Sequence, residues 1–137
     1  RFDLKSRKSL KGEEKYYLAD LSIYYALNID SRINYGPALE NVIFTYLKSK
    51  QYELSVGRIK NWEVDFIARK YFDDYFYIQV SMTIFDSIDT ENREYRPLEA
   101  IRDNYPKYLF TLDMLEQHRK GIRHLNLIDF IFDNKDL

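Results

Sequence analysis

The sequence predicts a mixed α/β domain in which a helix, a three-strand meander, a second helix and a further strand follow one another. Three observations predict this order. Apolar residues recur at helical spacing in two segments, apolar and polar residues alternate in two others, and the chain of 137 residues contains 13 Tyr and 9 Phe. The first pattern gives a helix one apolar side, and the second gives a strand one apolar face. Abundant Tyr and Phe suit a sheet that packs against helices.

Helical spacing and proline positions predict three helices. The first covers residues 14–28. The second covers residues 37–50, with Pro37 in its first turn and a stripe of apolar side chains along one side. The third covers residues 92–104 and ends before Pro106, because proline interrupts helical hydrogen bonding.

Four segments are predicted as strands. Residues 51–56 lead to a turn at Gly57, residues 61–69 and 75–82 alternate between apolar and polar, and residues 108–112 form a later strand. The alternation assigns one face of the second strand to Trp62, Val64, Phe66 and Ala68 and the other to Glu63, Asp65, Ile67 and Arg69. The connections between the first three strands are short, which favours an antiparallel meander.

The chain divides into a helical preface at residues 1–35 and a main α/β core at residues 36–137, within one compact domain. Residues 122–132 at its end are either a short strand that runs into a helix or one apolar terminal helix. The chain begins at Arg1, and we therefore expect it to be a piece of a longer protein.

Composition and missing motifs exclude several classes of function. The net charge of −1 argues against a generally basic protein that coats nucleic acid, although a local basic patch stays open. The absence of Cys excludes disulfides, thiolate metal sites and a Cys nucleophile. The chain contains neither a Walker A sequence nor a nucleophile-elbow motif. No long uncharged apolar run is present, and a cytoplasmic location is expected.

Polar side chains on three predicted elements form a candidate site. Glu63 and Asp65 lie on the polar side of one strand, Gln79 and Ser81 on that of the next, and Glu40 lies on the preceding helix. Converging carboxylate and amide oxygens are the ligands that Mg²⁺ requires, so Asp65, Glu40 and Gln79 are candidate magnesium ligands. The alternative is an ordinary solvated face, since antiparallel sheets commonly expose one side.

The remaining charged groups suggest less specific roles. Basic residues cluster near Tyr16 and Tyr17, at Arg1, Lys5, Arg7, Lys8 and Lys11, and again at Arg119, Lys120 and Arg123. The first group, beside the two tyrosines, either contacts a phosphate backbone or forms a solvated surface strip. The histidines, His118 and His124, lack the spacing of a zinc hydrolase and are expected to be ordinary surface or partly buried residues. Residues 91–96 have mixed charge, typical of an exposed helix face.

Short sequence words across nearly the whole chain resemble one family. They are Lys15-Tyr16-Tyr17-Leu18-Ala19-Asp20, Gly36-Pro37-Ala38-Leu39-Glu40-Asn41, Glu63-Val64-Asp65-Phe66-Ile67-Ala68, Tyr77-Ile78-Gln79-Val80, Arg93-Glu94 before Pro97-Leu98, Ile101-Arg102-Asp103-Asn104-Tyr105-Pro106-Lys107 and Gly121-Ile122-Arg123-His124. Through these sequence words the chain resembles the C-terminal domain of unknown function that predicted bacterial and archaeal AAA+-type ATPases carry. That family in turn resembles the PD-(D/E)xK nuclease superfamily, with its restriction-endonuclease-like core.

The resemblance implies a larger context and specific site residues. A P-loop ATPase domain would precede this chain and would be the part that binds ATP. In the nuclease superfamily the helix supplies a Glu, the second strand an Asp, and the third strand a Glu-x-Lys or Gln-x-Lys. These positions match Glu40, Asp65 and Gln79, but Ser81 stands where the Lys belongs. Because a hydroxyl cannot supply the positive charge of a lysine at a phosphoryl group, the resemblance implies a catalytically degenerate site.

Three functions follow as hypotheses. The first is an accessory domain of an ATPase that binds or regulates nucleic acid or a protein partner without cleavage. The second is an active Mg²⁺-dependent DNA endonuclease in which Asp65, Glu40 and Gln79 organise the metal. The third is an oligomerisation domain that associates through a surface rich in Tyr and Phe.

Overall fold

A computed structural model describes residues 2–4, 8–9, 15–17, 35–72 and 74–137. The elements in these parts of the chain are β1 (Phe2–Asp3), β2 (Lys8–Ser9), α1 (Tyr35–Ser49), β3 (Glu53–Ile59), β4 (Trp62–Arg69), β5 (Tyr75–Val80), α2 (Ile88–Glu99), β6 (Lys107–Thr111), β7 (Ile122–Asn126) and α3 (Leu127–Phe132). They confirm the mixed α/β class that the sequence predicts. None of the described helices is long and apolar enough to cross a membrane.

The strands form one mixed sheet in the order β2-β1-β3-β4-β5-β6-β7. Strand β4 pairs antiparallel with both β3 and β5. Strand β6 pairs parallel with both β5 and β7, and β1 pairs parallel with β3. The C-terminal ends of β5, β6 and β7 therefore lie at the same edge of the sheet, beside the start of β4.

Hydrophobic cores cover both faces of this sheet. On one face, α1 and α3 pack against the strands through Leu39, Ile43, Leu47, Phe66, Ile78, Phe110, Leu127 and Phe130. On the other face, α2 packs against them through Val64, Ile67, Tyr77, Tyr95, Leu98, Leu109 and Ile122. The alternative of an ordinary solvated face therefore does not hold for the central strands, because Ile67 and Tyr77 pack in the core under α2.

A β-bulge in β4 changes which side chains share a face. Ser55 pairs with Ile67 and Gly57 pairs with Val64, so Asp65 and Phe66 together stand opposite the one residue between Ser55 and Gly57. A bulge of this kind re-aims the residues that follow it. The predicted strict alternation is consequently wrong beyond Asp65: Phe66 packs on the α1 side, whereas Val64 and Ile67 both pack on the α2 side.

The predicted turn at Gly57 is also wrong, because Gly57 lies inside β3 and the turn follows at residues 60–61. Glycine is needed at this position for a close approach between strands. A Cβ at Gly57 would lie 3.0 Å from Cγ1 and Cδ1 of Ile67 and 3.1 Å from Cβ of Val64. Both neighbours are buried and belong to the α2-side core, so they have little room to move.

Local capping explains where two of the helices begin. Helix α2 covers Ile88–Glu99 rather than residues 92–104, because the Ser87 side chain accepts a hydrogen bond from the backbone N–H of Thr90 at 3.1 Å. In the same way Asn126 caps α3, since its side chain accepts from the backbone N–H of Asp129. At residues 122–132 the first alternative, a short strand that runs into a helix, is confirmed.

Two further expectations concern the N-terminal part and α2. Of the helix predicted at residues 14–28, the structure describes Lys15, Tyr16 and Tyr17, which are not helical; the other residues of that prediction lie outside the described ones. The exposed helix face predicted at residues 91–96 is wrong at Glu94 and Tyr95, because both side chains are buried against the sheet.

The bulge gives the first testable prediction. Gly57→Ala should lower the free energy of unfolding by about 1–3 kcal/mol, because the new methyl group meets two buried side chains. Urea unfolding followed by circular dichroism measures this change. Ser55→Ala on the same strand is the matched control and should change stability by much less. An unchanged Gly57→Ala variant would contradict the close approach.

Candidate functional site

Three carboxylates surround the ammonium group of Lys15. Glu40 comes from α1, Glu63 and Asp65 come from β4, and we call these three side chains with Lys15 the carboxylate cluster. Lys15 Nζ lies 2.5 Å from Glu63 Oε1, 3.2 Å from Glu40 Oε2 and 3.7 Å from Asp65 Oδ1. The bulge contributes directly, because it places Asp65 at the point where β4 and β5 diverge.

Asp65 is the most deeply placed member of the cluster, with 6% of its surface exposed. Its Oδ2 accepts a hydrogen bond of 2.8 Å from the backbone N–H of Val80. Its own backbone N–H donates to Oε1 of Gln79 at 3.4 Å. The structure thus brings Glu40 and Asp65 together through Lys15, and it places Gln79 beside the backbone of Asp65.

Gln79 in β5 and Ser81 just after that strand differ in their contacts. Ile78 and Val80 both pack in the α1-side core, so Gln79 between them leaves the strand on the opposite side and reaches the Asp65 backbone from there. The Ser81 hydroxyl donates to the backbone carbonyl of Thr83 at 3.3 Å, in the loop after β5. Ser81 is therefore engaged with its own loop, away from the carboxylate cluster.

Burial sets the proton affinity of Asp65. Removal from water raises the pKa of this carboxyl well above its usual value, and the negative charge of Glu40 raises it further. The hydrogen bond from Val80 and the ammonium of Lys15 act in the opposite direction without cancelling the effect. Glu94, buried on α2, adds a further negative charge.

Lys15 is held in its charged form. Burial lowers its pKa, but the hydrogen bond to Glu63 and the charges of Asp65 and Glu40 outweigh burial, and the net pKa is raised. The ammonium therefore persists at neutral pH and balances much of the negative charge around it.

An aromatic contact holds the segment that carries Lys15. The Tyr17 ring stacks on Phe44 of α1 with centroids 4.2 Å apart and contacts Phe66 at 5.3 Å. The Tyr17 hydroxyl is buried and has no hydrogen-bond partner within the part of the chain that the structure describes. Burial raises the pKa of this phenol. Two residues from Lys15, Tyr17 thus anchors the segment against the α1-side core.

The chemistry of the cluster partly matches a magnesium site. Carboxylate and amide oxygens are suitable donors, but the Lys15 ammonium stands among the carboxylates where a cation would be held. Across the described residues, no group of three or more His, Asp or Glu side chains is arranged to hold a metal ion. With Lys15 in place the residues do not fit an ion, and the magnesium site of Asp65, Glu40 and Gln79 stays a prediction.

Sequence reasoning missed Lys15 as a member of the site. Lys15 opens one of the sequence words quoted above, but its sequence position does not show that it reaches Glu40, 25 residues further along the chain. The sequence identifies Glu63 as a polar strand residue but does not show that its carboxylate pairs with Lys15. Glu94 belongs to a mixed-charge segment that is typical of an exposed helix face, so the sequence does not indicate that its side chain is buried.

The second basic group is largely neutralised. Arg119 pairs with Glu91 and Glu99, and Lys120 also pairs with Glu99. Arg123 lies over the ring of a strand tyrosine. Most of the basic residues near the N-terminus lie outside the described parts of the chain.

The two histidines have structural contacts. His124 is fully buried, its Nε2 lies 2.7 Å from Thr111 Oγ1, and its Nδ1 accepts from the backbone N–H of Gln117 at 2.9 Å. Burial lowers the pKa of His124. His118, in contrast, is mostly exposed, and its Nδ1 accepts from the His124 backbone N–H.

The environment of Asp65 predicts a specific pH dependence. A carboxyl whose pKa is raised on folding stabilises the native state most at low pH, and this contribution is lost as the pH rises through the folded pKa. For Asp65 the window runs from 3.8 to about 8. Across it, wild type should lose stability relative to Asp65→Asn, by at most about 1.4 kcal/mol per pH unit.

Urea unfolding at a series of pH values measures this difference. Asp74→Asn, which removes an exposed carboxyl at the β4–β5 turn, is the control and should follow wild type. A constant difference between wild type and Asp65→Asn across the window would show that Asp65 is ionised throughout.

Comparison with known proteins adds one relative. An uncharacterized protein of Haemophilus influenzae is 33% identical to the chain over 132 residues, which are 95% of this chain and 32% of that protein. The chain thus spans about a third of the length of the relative that it matches. No family model matches the chain, and no solved structure matches it.

Proposed function

We propose that the chain is a nuclease-like accessory domain of a larger ATPase and that it acts as a binding or regulatory module without cleaving nucleic acid. The position of the Lys15 ammonium among Glu40, Glu63 and Asp65 carries the proposal. An internal cation satisfies the carboxylates that a nuclease would use for Mg²⁺. The cluster then stabilises the fold instead of organising a metal.

Two further features support a site that does not cleave. Burial and the charge of Glu40 raise the pKa of Asp65, and a carboxyl that holds its proton more tightly is a weaker metal ligand. Ser81 offers no charge to a phosphoryl group, and its hydroxyl is engaged with Thr83.

The topology and the longer relative support the rest of the proposal. A helix, three antiparallel strands, a helix and a parallel strand follow one another as α1, β3, β4, β5, α2 and β6. That order is compatible with a restriction-endonuclease-like core, in which Glu40, Asp65 and Gln79 would take the nuclease positions that the resemblance implies. The relative has about two thirds of its length outside the matched region, which leaves room for an ATPase domain that binds ATP.

An active DNA endonuclease is the second candidate, and the same lysine favours it. Lys15 Nζ lies 3.7 Å from Asp65 Oδ1, so its ammonium could take the role of the lysine that is missing at Ser81. In that case Lys15 would stabilise phosphoryl charge, and Asp65, Glu40 and Gln79 would hold Mg²⁺ only if the Lys15 ammonium moved away from the carboxylates.

Incubation with supercoiled and single-stranded DNA in Mg²⁺ and in Mn²⁺ separates the two candidates. The proposal predicts no cleavage by wild type, Asp65→Ala or Lys15→Met in either metal, as read on agarose and denaturing gels. Circular dichroism checks that each variant folds, and Asp65→Asn replaces Asp65→Ala if the latter does not.

Wild-type cleavage that disappears in both folded variants would establish the endonuclease and overturn the proposal. Cleavage that persists in both variants would come from a contaminating nuclease, and the proposal would then be judged on repurified protein.

A further inference from the structure

Two loops at one edge of the sheet expose a group of large apolar side chains. The loops follow β5 and β6, whose C-terminal ends lie side by side because these strands are parallel. The group, which we call the apolar surface, consists of Met82, Phe85, Leu112, Met114 and Leu115 from the loops and of Ile88 from the first turn of α2. Met114 is 84% exposed and Ile88 is 75% exposed. Apolar groups of this size on a surface commonly mark an interaction site.

Hydrogen bonds join the two loops into one surface. The backbone N–H of Leu112 donates to the carbonyl of Met82 at 3.0 Å. Asp113 accepts from the Thr83 hydroxyl at 2.6 Å and from the backbone N–H of Ile84 at 3.0 Å.

The second loop is also fixed to helix α2. The Gln117 side chain donates to Glu91 at 2.8 Å, one helical turn beyond Ile88. Because both loops are held in this way, the apolar side chains are presented on a preformed surface, which lowers the entropy cost of binding.

The charge around the apolar surface has one sign. The exposed charged side chains of residues 81–89 and 112–117 are Asp86, Asp89 and Glu116, and these segments contain no Lys or Arg; the Asp113 carboxylate is instead bonded to Thr83, Ile84 and Thr111. An acidic rim repels nucleic acid phosphates and anionic lipid surfaces. It also disfavours a symmetric dimer through this face, because two copies would bring their acidic rims together. A complementary partner carries basic groups beside apolar ones.

We infer that the apolar surface docks an amphipathic polypeptide segment with Lys or Arg side chains flanking its apolar face. Such a segment inserts apolar anchors between the two loops and pairs its basic side chains with the acidic rim. The inference gives the proposed binding module a protein partner. The apolar surface contains no residue of the carboxylate cluster. The cleavage assay and the peptide-binding test below therefore give independent results, and either one can fail without the other.

A fluorescently labelled amphipathic helical peptide of Leu and Lys is the probe, and fluorescence anisotropy measures its binding to the chain. We expect saturable binding that weakens by about tenfold or more in the double variant Met114→Ser, Leu115→Ser. The matched control is Tyr71→Ser, Phe72→Ser, which removes two exposed aromatic residues at the β4–β5 turn and should bind as wild type does. A peptide of Leu and Glu should not bind.

Three results would overturn the inference. They are no binding of the Leu/Lys peptide, equal losses in the two double variants, or equal binding of the Leu/Glu peptide. Sedimentation equilibrium of the chain alone adds a fourth. A dimer that Met114→Ser, Leu115→Ser abolishes would identify a second copy as the occupant.

Discussion

The ion pairs of Lys15 with Glu40, Glu63 and Asp65 are the interaction on which the candidate site depends. A carboxyl as deeply buried as Asp65 is costly unless it is neutralised or paired, and the protein uses both means. When Asp65 is ionised, the nearby ammonium compensates part of its negative charge, and the raised pKa means that burial favours the neutral carboxyl. Replacement of any one member therefore leaves the others with unbalanced charge, and their contributions to stability will not be additive.

The bulge in β4 connects this cluster to the cores on both sides of the sheet. Without the extra residue opposite β3, strict alternation would place Asp65 and Ile67 on one face. Either Asp65 would then lie in the core under α2, or Ile67 would lie beside the carboxylates. Because of the bulge, Ile67 packs under α2 while the Asp65 side chain lies beside Lys15. Gly57 is part of the same arrangement, because only a residue without Cβ allows Val64 and Ile67 to approach β3 so closely.

The element order can be predicted because helical spacing and strand alternation are local patterns that one sequence is enough to reveal. Residues 37–50 and 75–82 correspond closely to α1 and β5, and the strand that runs into a helix after Gly121 was one of two alternatives. The bulge was not predictable, since one inserted residue leaves the apolar pattern of β4 apparently intact. The burial of Glu94 and the capping by Ser87 depend on tertiary contacts that local composition does not reveal.

For the site, the structure brings Glu40 and Asp65 to the same lysine and places the Gln79 side chain against the Asp65 backbone, whereas the sequence prediction omits Lys15 itself. Lys15 reaches the cluster from a distant segment whose position depends on the stacking of Tyr17 against Phe44. Ser81 was chosen from its strand position, and its hydroxyl instead bonds within the next loop. Long-range pairing of this kind cannot be read from spacing within one element.

The most direct test of an internal cation is the melting temperature of wild type and Lys15→Met as a function of millimolar MgCl₂. Lys48→Met, which removes an exposed lysine of α1, is the control. If Lys15 occupies the cation position, wild type and the control should respond little to Mg²⁺. Lys15→Met should melt lower without the salt and regain stability as Mg²⁺ rises, because the ion binds the carboxylates that have lost their lysine in the native state. An equal Mg²⁺-dependent rise in all three proteins would contradict the assignment of Lys15 as the cation of this site.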